Sequence, residues 1–123
     1  GYFSQLQDPN SILSQRSVFS DYDSYTVTSE YRELVLSYAK FLRDHADASV
    51  ILQGNTDDRG SREYNLALGQ RRADSVRNMM TLSGARDGQI ESVSLGEEKP
   101  RALGQGESTW SQNRRTDIIY RGE

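Results

Sequence analysis

Apolar residues recur three and four positions apart in two stretches of this chain. Tyr31, Leu34, Val35, Tyr38 and Leu42, with Phe41 beside them, predict a helix that starts behind Thr28 or Ser29 and ends near Arg43 to His45. Glu30 and Glu33 suit its positive end, and the basic side chains its negative end. Ser61 predicts the cap of a second helix running to about Leu82, with Gly84 as its stop. Strands are predicted at Val18-Phe19, at Val50 to Gln53 bounded by Gly54, at Ile90 to Leu95 where the pattern alternates, and at Arg114 to Tyr120. Residues 1–16 are polar, contain Pro9 and read as a loosely packed lead-in with one helical turn near Ile12 and Leu13. Asp21 to Tyr25 and Asn55 to Gly60 read as turns, and Gly96 to about Ser111 as a loop. The order β-α-β-α-β-β predicts an α+β domain over residues 17–123, a two-layer sandwich with two helices on one face of a mixed sheet.

Composition narrows the function classes. The 123 residues suffice for one domain, and the net charge of −3 gives no field for nucleic acid or anionic lipid. There is no cysteine and one histidine, so disulfides, thiol chemistry and transition-metal sites are not expected, and no cofactor is called for. Apolar runs are a few residues long, too short for a membrane span or a signal-peptide core. The chain opens on Gly1-Tyr2 without Met, which fits an excised piece or a mature form.

One residue breaks the apolar pattern. Leu68, Arg72, Val76 and Met80 are spaced by four and form one stripe of the second helix, bordered by Gly69 and Ala73, with Arg72 in its middle. A buried guanidinium cannot shed its proton, so Arg72 is expected to need an anionic partner. Asp57 stands just beyond the Val50–Gln53 strand, in the turn that feeds the same helix. Two readings follow. In one, Asp57 and Arg72 form an internal ion pair that fixes the fold. In the other they stand at the rim of a pocket, Asp57 holding the ammonium and Arg72 the carboxylate of one zwitterionic ligand. Asp57-Asp58 lacks an opposed catalytic group, and enzyme chemistry is not expected. His45 reads as a solvated surface residue and Trp110 as a lid over the sheet edge. Arg71-Arg72 and Arg114-Arg115 are basic doublets without aromatic interleaving, so they do not indicate nucleic acid.

Taken together, Gly54-Asn55-Thr56-Asp57, Gly60, Glu63-Tyr64-Asn65, Leu68-Gly69, Arg71-Arg72-Ala73 and Val76 resemble the signature of OmpA-like peptidoglycan-binding domains. Gly96, Glu98-Lys99-Pro100, Asn113-Arg114-Arg115 and the acidic aromatic stretch Asp21 to Tyr25 extend the likeness over residues 17–120. The nearest subgroup is the peptidoglycan-associated lipoproteins of the Tol–Pal system. The resemblance implies non-catalytic binding of peptidoglycan through the diaminopimelate residue of its stem peptide, tethering the outer membrane to the cell wall. It implies Asp57 and Arg72 as the ligand-holding pair, Leu68 and Gly69 as pocket lining, and Ser20 and Asp21 as the far wall. Asn65 would shape the turn-to-helix junction, and Arg59 joins the ligand set. Two positions depart from the pattern: many relatives have His where Asn55 stands and an aromatic residue where Ser20 stands. The implied setting is the periplasmic face of the outer membrane, reached by a lipid anchor absent from this chain. The implied partners are TolB, with TolA as a further candidate; a monomer is the simplest state. The alternative function is a protein-interaction module whose main client is TolB.

Overall fold

The computed structural model describes residues 8–121; residues 1–7 of the lead-in and 122–123 lie outside the described residues. The strands are β1 (Ser17–Phe19), β2 (Val50–Asn55), β3 (Ile90–Gly96) and β4 (Arg115–Tyr120). The helices are α1 (Ser29–Asp44), α2 (Arg62–Leu82) and a short α3 (Glu107–Asn113), with 3-10 turns at Ile12–Ser14 and Asp87–Gln89. The sheet order is β1-β4-β2-β3. β2 and β3 run parallel, while β4 is antiparallel to both β2 and β1. The last strand in sequence is therefore central, and the three-residue β1 is an edge.

Alternation along the strands sets the layers. Val50 and Leu52 of β2 and Ile118 and Tyr120 of β4 are buried, whereas Ile51, Gln53, Asp117 and Ile119 are half-buried. The buried set packs with Leu34, Val35, Tyr38 and Leu42 of α1 and Ala73, Val76 and Met80 of α2 into one core. Leu13 of the lead-in joins that core, and its carbonyl accepts the Tyr38 hydroxyl at 2.9 Å. The Ser61 hydroxyl accepts from the Tyr64 amide at 3.1 Å and caps α2. Gly84, at φ 111°, ends it.

Three expectations need correction. The stretch from Gly96 to Ser111 was expected to be all loop, but α3 begins at Glu107; its sequence has no apolar period, since Trp110 is its one large hydrophobic residue. β3 does not alternate cleanly: Ser92, Val93, Ser94 and Leu95 are all half-buried. His45, expected to be solvated, is half-buried, its ring stacked on Phe41 with centroids 4.5 Å apart.

Two glycines place α2 against the sheet. A Cβ built on Gly54 would lie 1.7 Å from the Gly69 carbonyl oxygen, and one on Gly69 would lie 2.3 Å from Ser94 Oγ. Only bare backbones fit there. This close crossing brings the first three turns of α2 over the carboxyl end of β2, where ligands of open α/β sheets usually lie.

Candidate functional site

At the end of β2 the register shifts between Gly54 and Asn55, and the chain then leaves the sheet. The Asn55 side-chain Nδ2 donates to the Gln53 carbonyl at 2.9 Å and the Arg115 carbonyl at 3.3 Å, which holds this exit. The Thr56 amide donates to the Gly96 carbonyl at 2.9 Å. Asp57 follows and is 5% exposed. Its Oδ1 accepts from the Arg59 backbone at 3.1 Å and from Arg59 Nε at 3.2 Å, while Oδ2 accepts from Arg59 Nη2 at 2.7 Å. The Arg59 guanidinium lies between two rings, 4.0 Å from the centre of Tyr22 and 3.9 Å from that of Trp110. Trp110 Nε1 donates to Asp58 Oδ1 at 3.0 Å. Trp110 is thus a wall against Arg59, not a cover for the sheet edge.

A second arginine flanks Asp57 from the other side. Arg114 Nε donates to the Ser20 carbonyl at 2.9 Å, and Nη2 donates to Glu107 at 2.6 Å. Its Nη1 is buried without a hydrogen bond and lies 3.8 Å from Asp57 Oδ2. Burial pushes the Asp57 carboxyl up, but the hydrogen bonds and charge of Arg59, with the charge of Arg114, outweigh it and hold the group below its ordinary value. Arg115 turns elsewhere, to Asp117 at 3.1 Å and the Lys99 carbonyl at 3.2 Å.

Arg72 is 1% exposed. Its expected anionic partner is replaced by three backbone carbonyls: Ser24 at 2.8 Å, Asn55 at 3.0 Å and Asp21 at 3.1 Å. The fixed fork of the guanidinium matches three carbonyls aimed at one spot and so staples the 21–24 loop to the end of β2. Burial pulls its pKa down to about 10, which leaves it cationic at neutral pH.

Asp57 and Arg72 are not hydrogen-bonded to each other. Both line one recess of about 150 Å³, together with Tyr22, Asp23, Thr56, Arg59, Gly60, Tyr64, Asn65 and Leu68. The ion-pair reading of these two residues is thereby set aside. Of the residues singled out in the sequence, Asp57, Arg72, Arg59, Asn65 and Leu68 meet there. Asn65 is buried and donates to Glu97 at 3.1 Å. Ser20, Asp21 and Gly69 do not line the recess: Ser20 and Asp21 contribute carbonyls to Arg114 and Arg72, and Gly69 is the close-packing residue on Gly54. Sequence reading missed Tyr22, Asp23, Thr56, Gly60 and Tyr64 as lining. Tyr64 carried a usable signal, since it stands four before Leu68 and so shares its helix face.

A sheet with β2 and β3 parallel, β4 antiparallel between β1 and β2, and a charged recess at the β2–α2 junction defines a class. Residues 19–114 match the family model described as the OmpA family, and the chain belongs to the OmpA family. Two of its curated relatives carry the name peptidoglycan-associated lipoprotein. The chain is 44% identical over 110 residues to the peptidoglycan-associated lipoprotein of Pasteurella multocida, covering 88% of this chain and 73% of that protein. It is also 44% identical to that of Haemophilus influenzae, covering 88% and 72%. The crystal structure of the peptidoglycan-associated lipoprotein from Burkholderia pseudomallei is 52% identical, with a TM-score of 0.93 over 95% of this chain and 99% of that one. The C-terminal domain of Helicobacter pylori MotB shares the fold at 20% identity, with a TM-score of 0.77 over 86% and 83% of the two chains.

Proposed function

We propose that this domain binds peptidoglycan without chemistry on it, by clamping the free amino-acid end of diaminopimelate, and so links the outer membrane to the wall from the periplasmic side. The observation that carries this reading is the shared recess. A carboxylate and a guanidinium from opposite sides of the β2–α2 junction line one space and are not bonded to each other. Such a pair complements the ammonium and carboxylate on one carbon. Charge-assisted hydrogen bonds contribute about 1.5–3 kcal/mol each. The names of the relatives agree with this ligand class. A catalytic role for Asp57 has little support, because a carboxyl held below its ordinary value is a weak base.

TolB is the proposed protein partner, with TolA as a further candidate, and the domain is proposed to act as a monomer. The exposed rings of Tyr22 and Tyr64 at the recess mouth, 61% and 48% exposed, suit a protein partner on the same surface. Co-sedimentation with isolated sacculi tests the wall reading. The wild type should pellet with sacculi, and Asp57→Asn should stay largely in the supernatant. Equal pelleting by both proteins would reject the clamp.

A further inference from the structure

Beside the recess lies a second, larger hollow of about 290 Å³, lined by Asp23, Tyr25, Tyr64, Ala67, Leu68 and Arg71. Asp23, Tyr64 and Leu68 line both spaces, so the second hollow adjoins the recess as a shelf beside it. Successive residues of α2 serve the two parts. Arg72 turns under the recess, whereas Arg71, about 100° further round the helix, faces solvent. Among the described residues no carboxylate lies within ion-pair distance of Arg71; its guanidinium carbon is 5.6 Å from the ring centre of Tyr25. Tyr25 and Tyr64 are 46% and 48% exposed. The shelf therefore offers two aromatic surfaces and an exposed cation that is not ion-paired with Asp23, the carboxylate that also lines it.

We propose that this shelf is a second subsite for the same ligand, in which Arg71 receives the other carboxylate of the clamped residue, the one at its peptide-linked end. The proposal rests on the peptidoglycan reading above. A residue whose free end fills the recess must leave through its mouth, and the shelf adjoins the recess across Asp23, Tyr64 and Leu68. Diaminopimelate carries two carboxylates joined by a methylene chain. Leu68, shared by both hollows, gives that chain an apolar surface to cross. Arg71 then meets the second carboxylate as an exposed ion pair, which selects stem peptides with a free acid there over those carrying an amide.

Calorimetry on the full chain tests this with two probes: a disaccharide tripeptide ending in diaminopimelate, and the same molecule with a carboxamide replacing the carboxylate at the peptide-linked end. Arg71→Gln should weaken the acid probe about two- to five-fold, the range of an exposed ion pair. Both proteins should bind the amide alike, and added salt should erase the difference seen with the acid. Equal losses on acid and amide, or no loss on either, would overturn the shelf assignment while wild-type binding upholds the clamp. Failure of the wild type to bind either probe would overturn both.

Discussion

Asp57 and Arg59, two residues apart in one turn, form a bidentate ion pair whose shortest contact is 2.7 Å. Two aromatic rings pin the guanidinium from above and below. The recess is thus kept charged and shaped before any ligand arrives, which lowers the ordering cost of binding. An ammonium entering the recess, as proposed, would share Asp57 with Arg59 and Arg114.

Loosening the pair should change the acidity of Asp57. Arg59→Lys replaces a planar fork with a point charge and loses the stacking on both rings. The Asp57 carboxyl should then titrate at a higher pH, because burial is less strongly opposed once the Arg59 side-chain hydrogen bonds are lost. Carbon-detected NMR titration of the Asp57 side chain in both proteins measures this.

The same shift gives a pH dependence to stability. The folded-state pKa of Asp57 is lowered, so the unfolded chain takes up its proton first as pH falls. The contribution is fully present above the ordinary carboxylate range, near pH 5, and is lost as pH drops through that range and below the folded value. Urea midpoints from pH 7 down to pH 2.5 should fall more for wild type than for Asp57→Asn.

Arg72 is a structural staple as well as a residue lining the recess. Arg72→Met should leave one buried and two part-buried carbonyls without their donor and destabilise the domain by about 3 kcal/mol. Arg72→Lys can satisfy fewer of them at this geometry and should lose about 2 kcal/mol. Urea unfolding measures both, and loss of wall binding by either variant must be read against its folded fraction.

Helix-to-strand contact at the glycine crossing is equally exacting. Gly54→Ala places a carbon 1.7 Å from a backbone oxygen, so the layers must part, costing about 3 kcal/mol. Gly60→Ala meets its first neighbour only at 3.4 Å, and its penalty comes from the φ of 96°, about 1 kcal/mol. Thermal unfolding should rank Gly54→Ala well below Gly60→Ala.

The layers and the long helices were legible because their apolar spacing is strong: Leu34 to Leu42 and Leu68 to Met80 mark the faces that the core uses. Arg72 was legible as an oddity for the same reason. Its partners were not, because backbone carbonyls carry no residue-type signal. α3 was hidden by its polar composition. Trp110 was visible as a residue but not as a neighbour of Arg59, since that contact spans 51 positions of the chain and depends on where α3 docks. Gln89 escaped notice as one polar residue among many, yet its buried amide contacts the carbonyls of Leu42, His45 and Ala48 and joins the ends of α1 and β2.

The placing of β4 has a bearing on when the molecule becomes competent. Arg114 immediately precedes that strand, and its neighbour Arg115 pairs with Asn55 on one side and Phe19 on the other. A chain cut before Arg114 has neither this interior strand of the sheet nor the support behind Asp57. Capacity to grip a ligand therefore comes as a whole with that strand, so a copy truncated before it should remain inert rather than weakly active.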